Sequence, residues 1–362
     1  MPNMRQAAAH FLVFLLITLI VLIAPGPVLA LDSVQHITGE TPDVLLNDHW
    51  GYFEESTRAP GELANAVAVP VSLPHSWNSL DATDTEPGYR RDASWYRKLL
   101  TFSRQARDFR QTLYFEGANM SADVYVNGQR AGGHVGGYLG FEVEITDLLD
   151  HSGVNEVLVR VDNSVDRSLI PSQKADFVLY GGLTRDVFLR TRPSTHIARL
   201  QIDTTRVSTQ SASVKSTIFI DGAAGRERDY RVEFKVQDDL GDTVAGTGLD
   251  VTTGKGISAH EFELPEIEDP RLWSPASPRL YTLTATLLDE DGTVVHETAD
   301  TFGLRWFEFA QDGAFMLNGE RLLLRGTHRH EEHAGYGAAM PDELHLRDME
   351  TVSYTHLRAH ET

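Results

Sequence analysis

Along much of the chain apolar and polar residues alternate with a period of two, the spacing of a strand that buries one face. Over Ala122–Asn127, Val124 and Val126 share one face while Asp123 and Tyr125 share the other. Val157, Val159 and Val161 form another inward face, and Val232, Phe234 and Val236 alternate with charged residues. Tyr281, Leu283, Ala285 and Leu287 alternate with Thr282, Thr284 and Thr286. The pairs Asn127-Gly128, Asp291-Gly292 and Asn318-Gly319 are hairpin signals, because such residues tolerate positive φ. Trp95–Leu99, Leu113–Gly117, Phe141–Ile145 and Tyr180–Arg190 read as further strands, and the glycines between 132 and 140 read as a turn between strands. Pro70–Trp77 is a proline-bracketed extended segment suited to a sheet edge, since proline lacks the ladder donor. Many short strands with turn signals and hardly any helical period predict a mainly β protein built of sandwiches.

These elements fall into three groups. The first begins near Leu45–Trp50 and closes at Pro193. The second runs to about Arg305 and has the strand pattern of an immunoglobulin-like sandwich, without the cysteine pair of the disulfide-bonded subtype. The third starts near Trp306: a hairpin around Asn318-Gly319, then Leu322-Leu323-Leu324 as a buried strand. Pro341-Asp342-Glu343 then opens a helix, with proline in the first turn and acids at its positive end. Strand, polar loop and helix make the first unit of an α/β domain.

A length of 362 residues accommodates two or three domains with their own cores. The net charge of −20 and the absence of a basic patch argue against nucleic acid as a partner. Residues 1–30 read as a signal peptide: Arg5 precedes the apolar run Phe11–Ala24, Pro25-Gly26-Pro27 breaks the helix, and Val28-Leu29-Ala30 offers a cleavage site. An uncleaved anchor lengthened through Ala7–Ala9 is the alternative; in both cases the body is expected to be exported, periplasmic or secreted, with no stable membrane span once the signal is cleaved. With no cysteine, the exported domains have no disulfide framework to rely on.

The densest ionisable cluster closes the stretch Arg321–Glu332, RLLLRGTHRHEE, and continues into His333. A zinc site is one reading, but His330 and His333 are three apart and follow a strand, whereas the zincin pattern needs two histidines four apart on a helix. The reversed pattern would need histidine at 329, which is Arg329. A polar surface loop is a second reading. The preferred one is a ligand-facing loop at the C-terminal end of a barrel's first strand. The glycine-rich loop at 132–140 lacks the Lys-Ser/Thr of a nucleotide loop, and no G-x-S-x-G elbow occurs.

Eight stretches, VSLPHSWN (71–78), SWYRK (94–98), FEGANMSADVYVNG (115–128), HVGGYLGFEVEIT (134–146), DFVLYGGLTRDVFL (176–189), LWSPASPRLY (272–281), FGLRWFEF (302–309) and LNGERLLLRGTHRHEE (317–332), occur in an order that resembles the N-terminal part of the family 2 glycoside hydrolases. That group comprises β-galactosidases, β-glucuronidases and β-mannosidases, and the resemblance covers about residues 45–350. It implies a jelly-roll sugar-binding domain over 40–193, an immunoglobulin-like sandwich over 194–305 and, over 306–351, the start of a TIM barrel that carries the active site. It implies retaining hydrolysis of O-glycosidic bonds by two glutamates on later barrel strands; retaining enzymes hold two carboxyl groups about 5–5.5 Å apart. No catalytic residue is assigned within this chain, because Glu331 and Glu332 lie in the first-strand loop.

Two substrate-binding candidates carry over. Asp176 matches the aspartate of a D-F-x-x-Y-x-G segment that reaches a sugar hydroxyl, with a loop-capping Asp as the alternative. His330 matches the histidine of the family's N-R-H-E segment; His328 stands where Asn is usual, which bears on substrate preference. Arg329 reads as structural, bridging carboxylates. The expected parent protein is an exported retaining β-glycosidase for galactosides or glucuronides, with the chain as given inactive. The alternative is a non-catalytic carbohydrate-binding scaffold of two sandwiches, against which an isolated strand-helix unit with an unpaired edge speaks; a zinc hydrolase ranks third. No cofactor or metal is assigned. Support by Na⁺ or Mg²⁺ in the full-length protein, homo-oligomer formation and the particular sugar stay open. Residues 352–362, VSYTHLRAHET, lack a helical stripe and strand alternation and resemble the translation of a transposase-type sequencing-library adapter, so they are excluded from the fold.

Overall fold

The computed structural model describes residues 33–38, 42–54, 59–171, 177–223, 225, 227–326 and 328–353. The signal segment, Asp176 and residues 354–362 lie outside them.

The first sandwich packs a seven-stranded sheet on a four-stranded one. In the larger sheet the order is Val69–Val71, Trp50–Phe53, Ala93–Phe102, Asn155–Asp162, Ser121–Val126 and Gln129–Val135, with Gln35–Ile37 pairing parallel to Ala93–Phe102. The smaller sheet runs Phe141–Glu144, Phe109–Phe115, Val187–Pro193 and Asp43–Leu45. The register puts Val124 opposite Val159 and Val159 opposite Tyr96, so one row of side chains faces inward. Leu113, Phe115, Val143 and Leu189 meet that row from the other sheet. The alternation expected for Val124/Val126 and for Val157/Val159/Val161 is observed, all five being buried. Pro70 sits on the edge strand, where a missing donor costs no ladder bond. Asn127 and Gly128 turn the hairpin with φ of 51° and 79°, the values of a type I′ turn. The glycine-rich segment divides: Gly132 and Gly133 lie in a strand, and only 136–140 turns.

The second sandwich faces His196–Val207, Ser211–Gly222 and Gly256–Glu263 against Thr243–Thr253, Arg228–Gln237, Tyr281–Leu288 and Val294–Phe302. Its core is the predicted one: Val232, Phe234, Val236, Tyr281, Leu283, Ala285 and Leu287 are all buried. At the Asp291-Gly292 turn, Gly292 takes a left-handed φ of 77° and its N–H donates to the Asp289 carbonyl at 3.0 Å. One guanidinium spans the junction of the sandwiches. Arg110 reaches Glu144 of the first at 2.5 Å and Asp221 of the second at 2.6 Å, which lifts its own pKa further above the ordinary range.

After Trp306 comes a small sheet of Phe307–Phe309, Phe315–Leu317 and Glu320–Arg321, whose Asn318-Gly319 turn is again left-handed at both residues. The helix Asp342–Val352 follows as expected, with Pro341 as its cap and Asp342 and Glu343 in its first turn. The predicted buried strand at Leu322–Leu324 is not formed. Leu323 is 74% and Leu324 66% exposed, and 322–326 has no strand assignment. Among the described residues no strand pairs with this segment, and a strand exists only by pairing with a neighbour. Among the described residues no helix is long and apolar enough to cross a membrane.

Candidate functional site

A cleft of about 560 Å³ opens where the first sandwich meets residues 329–338. One wall is the segment 177–186, irregular except for the short strand Gly182–Leu183, which pairs antiparallel with Ala118–Asn119, and fixed further by hydrogen bonds. Asn163 Nδ2 donates to the Leu179 carbonyl at 2.8 Å, Asn119 Nδ2 to that of Tyr180 at 2.6 Å and Ser76 Oγ to that of Gly181 at 3.1 Å. The His75 N–H donates to the Leu183 carbonyl at 2.8 Å, and the Gly181 N–H to Asn78 Oδ1 at 2.9 Å. Backbone groups taken out of water need such partners, and side chains of the sandwich supply those that a ladder would otherwise provide. Glycine is required at 181, because a Cβ there would stand 2.1 Å from Trp77 Cζ2.

From this loop Phe177, Tyr180 and Arg185 project to the cleft, joined by Glu116 and Asn119. The opposing wall carries Arg329, His330, Glu331 and Glu332. His330 meets Phe177 edge to face at 5.9 Å. Burial first, then the Glu332 carboxylate, push the Tyr180 hydroxyl up to about 12, so it stays protonated. Arg185 Nη2 donates to Glu331 Oε2 at 2.8 Å. Arg329 donates to Asp348 at 2.7 Å and to His345 Nδ1 at 3.0 Å and stands 3.8 Å from Glu331, the carboxylate-bridging role read from its sequence position. Its guanidinium holds the Asp348 carboxyl below the ordinary range. Loss of solvent at the cleft wall, then the Asp186 carboxylate, push the Glu116 carboxyl above its ordinary range.

Of the two sequence-derived candidates, His330 lines the cleft and Asp176 lies outside the described residues, next to Phe177 in sequence. Glu332 approaches His330 at 3.9 Å, beyond hydrogen-bond distance. His333 turns away, its Nδ1 donating to the Ala334 carbonyl at 3.0 Å. Among the described residues no group of three or more His, Cys, Asp or Glu is placed to hold a metal ion. The sequence reading missed Asn119, Tyr180 and Arg185, although all three stand inside stretches it singled out. Asn119 is the most informative: it lines the cleft and anchors the Tyr180 carbonyl, while its Oδ1 packs against Gly137 with no hydrogen-bond partner among the described residues.

The arrangement is two β-sandwiches with a polar, aromatic-flanked cleft at the edge of the first. Residues 46–193 match the sugar-binding domain model of the glycosyl hydrolases family 2, and residues 195–305 match a second model of that family. The chain belongs to glycosyl hydrolases family 2. It is 44% identical over 308 residues to a putative β-glucuronidase of Formosa agariphila, covering 85% of this chain and 36% of that protein. It is 31% identical to a β-galactosidase of Thermoanaerobacter pseudethanolicus, covering 78% and 38% respectively. The crystal structure of a Bacteroides uniformis β-glucuronidase superposes with a TM-score of 0.80 at 29% identity, over 86% of this chain and 38% of that one. The chain thus spans less than half the length of these relatives.

Proposed function

We propose that this chain is the sugar-facing amino-terminal part of an exported retaining β-glycosidase, periplasmic or secreted, acting on β-glucuronides or β-galactosides. The observation that carries the reading is the cleft itself, in a chain of this family. His330 faces a wall that carries Phe177, Tyr180 and Asn119. The polar side chains of the cleft walls would take sugar hydroxyls, and Phe177 would give the ring an apolar contact. Asp176 and His330 are the further candidates for holding sugar hydroxyls. The catalytic pair is expected on barrel strands that the 362 residues do not supply. Of the three cleft carboxylates, Glu116, Glu331 and Glu332, Glu331 is paired with Arg185, and none is assigned the nucleophile or the acid/base.

Resequencing the native gene across codon 351, and assaying the 362-residue chain beside the longest product of that gene, tests this. The longer product is expected to release nitrophenol from 4-nitrophenyl β-glucuronide or β-galactoside, and the 362-residue chain from neither. Turnover by the short chain would refute its inactivity, and a longer product inert on both substrates would refute the glycosidase reading.

A further inference from the structure

One guanidinium joins the two walls of the cleft. Arg185 Nη2 donates to Glu331 Oε2 at 2.8 Å and Nη1 to the Ala338 carbonyl at 2.6 Å, across 146 and 153 residues of sequence. Its stem is set before it reaches them. Nη1 also donates to the Thr184 carbonyl at 2.9 Å, the Thr184 N–H donates to the Gly117 carbonyl at 3.1 Å, and a Cβ at Gly117 would stand 3.1 Å from Arg185 Cγ. The opposing loop closes on itself through His333 and Gly337, whose N–H groups donate to each other's carbonyls at 3.0 and 2.8 Å. It rests on the sandwich where Gly337, at φ 57°, passes under the Tyr180 ring; a Cβ there would approach Tyr180 Cδ1 to 2.5 Å. The helix beyond it buries no residue of its own and is tied to the start of the loop, at Arg329, through Asp348 and His345; Arg185 is the tie at the loop's middle and far end.

We propose that Arg185 is a positioning residue of the cleft: by bridging Glu331 and Ala338 it holds residues 329–338 so that His330 and Glu332 stand opposite Phe177 and Tyr180. The purpose of that placement rests on the sugar-binding reading; the placement itself does not. Arginine suits the task because its planar fork serves a carboxylate and a carbonyl at once, whereas lysine would bring one point charge.

Hydrogen exchange and sugar titration of the 362-residue chain, with the variants Arg185→Met, Arg185→Lys and Glu331→Gln, test the proposal. In Arg185→Met the Gly337 and Ala339 amides are expected to exchange about tenfold faster, while the ladder amides of Val157–Val161 keep their protection. Lysine restores part of the difference, and Glu331→Gln shows a smaller acceleration at the same amides. Affinity for methyl β-glucuronide or methyl β-galactoside falls in the same order, a rescue pattern that a purely structural role would not produce. Unchanged exchange at Gly337 and Ala339 in a folded Arg185→Met protein overturns the proposal. Faster exchange there, with no saturable sugar binding by the unaltered chain, upholds the positioning role and defeats the sugar-binding reading instead. If Arg185→Met loses core protection, Glu331→Gln probes the same contact from its exposed side, and unchanged exchange in that variant overturns the proposal.

Discussion

The two sandwiches share an architecture and differ in what they bury. The second is nearly all hydrocarbon inside: alternating aliphatics, and Phe234 stacked on Phe262 at 3.6 Å. The first buries Asn78, Lys98, Gln111, Asn155 and Asn163 almost completely among its apolar residues. Burying amides and an amine is costly unless every polar atom is matched. Two of these five, Asn78 and Asn163, are spent on the loop 177–186, Asn78 through the Gly181 N–H and Asn163 through the Leu179 carbonyl. Lys98 donates to the Asp48 carbonyl, and burial draws its pKa down to about 8. Polar burial thus marks the sandwich that holds an irregular segment in place for the cleft, while the second sandwich is scaffold.

The strongest test of that contrast is Phe234→Ala in the scaffold. It should cost about 3–5 kcal/mol, read as earlier loss of exchange protection in the second sandwich during a urea titration. Protection of the cleft amides Gly337 and Ala339 should be untouched in native conditions. Asn78→Ala should cost less, about 1–3 kcal/mol, by stranding the Gly181 N–H. Unlike the first change it should loosen the loop 177–186, seen as faster exchange at Gly181 and weaker sugar binding. If both variants act alike on the cleft, the division of labour is wrong.

The smallest effect concerns acid. Burial lowers the pKa of His75 in the first sandwich and of His296 in the second to about 4, from an ordinary 6.5. The folded protein therefore favours the neutral imidazoles, and the unfolded chain takes up protons first as pH falls. The stability this contributes is complete above about pH 6.5 and is lost on the way down to pH 4, on the order of 1–3 kcal/mol for each residue. His75→Gln and His296→Gln should each flatten the acid limb of a urea-midpoint profile by its own share. Only protonation of His75, whose ring Nδ1 hydrogen-bonds the Tyr96 hydroxyl at 2.8 Å and whose backbone N–H donates to the Leu183 carbonyl, should also disturb the cleft.

The sandwiches were legible because a half-buried strand writes its own period into the chain. Tyr281–Leu288 needs no knowledge of its neighbours to reveal which face turns inward. The leucines at 322–324 misled for the complementary reason: apolar content is local, but a strand is made by the strands beside it. The cleft was legible at His330, where ionisable residues crowd within a few positions. It was illegible at Asn119, Tyr180 and Arg185, whose partners lie 61 to 153 residues away. The glycines that make room for them, Gly181 and Gly337, resemble turn residues in sequence, and their reason appears only when Trp77 and Tyr180 are seen against them.

The sandwiches look separable on paper, since so few residues link Pro193 to His196. Arg110 makes them a poor pair to divide. A gene cut at the linker would leave Asp221 on one product without its cation and Arg110 on the other with half of its carboxylates. Each piece would carry an interface wound rather than a clean terminus, and each would be expected to recover solubility when the other is added back in trans.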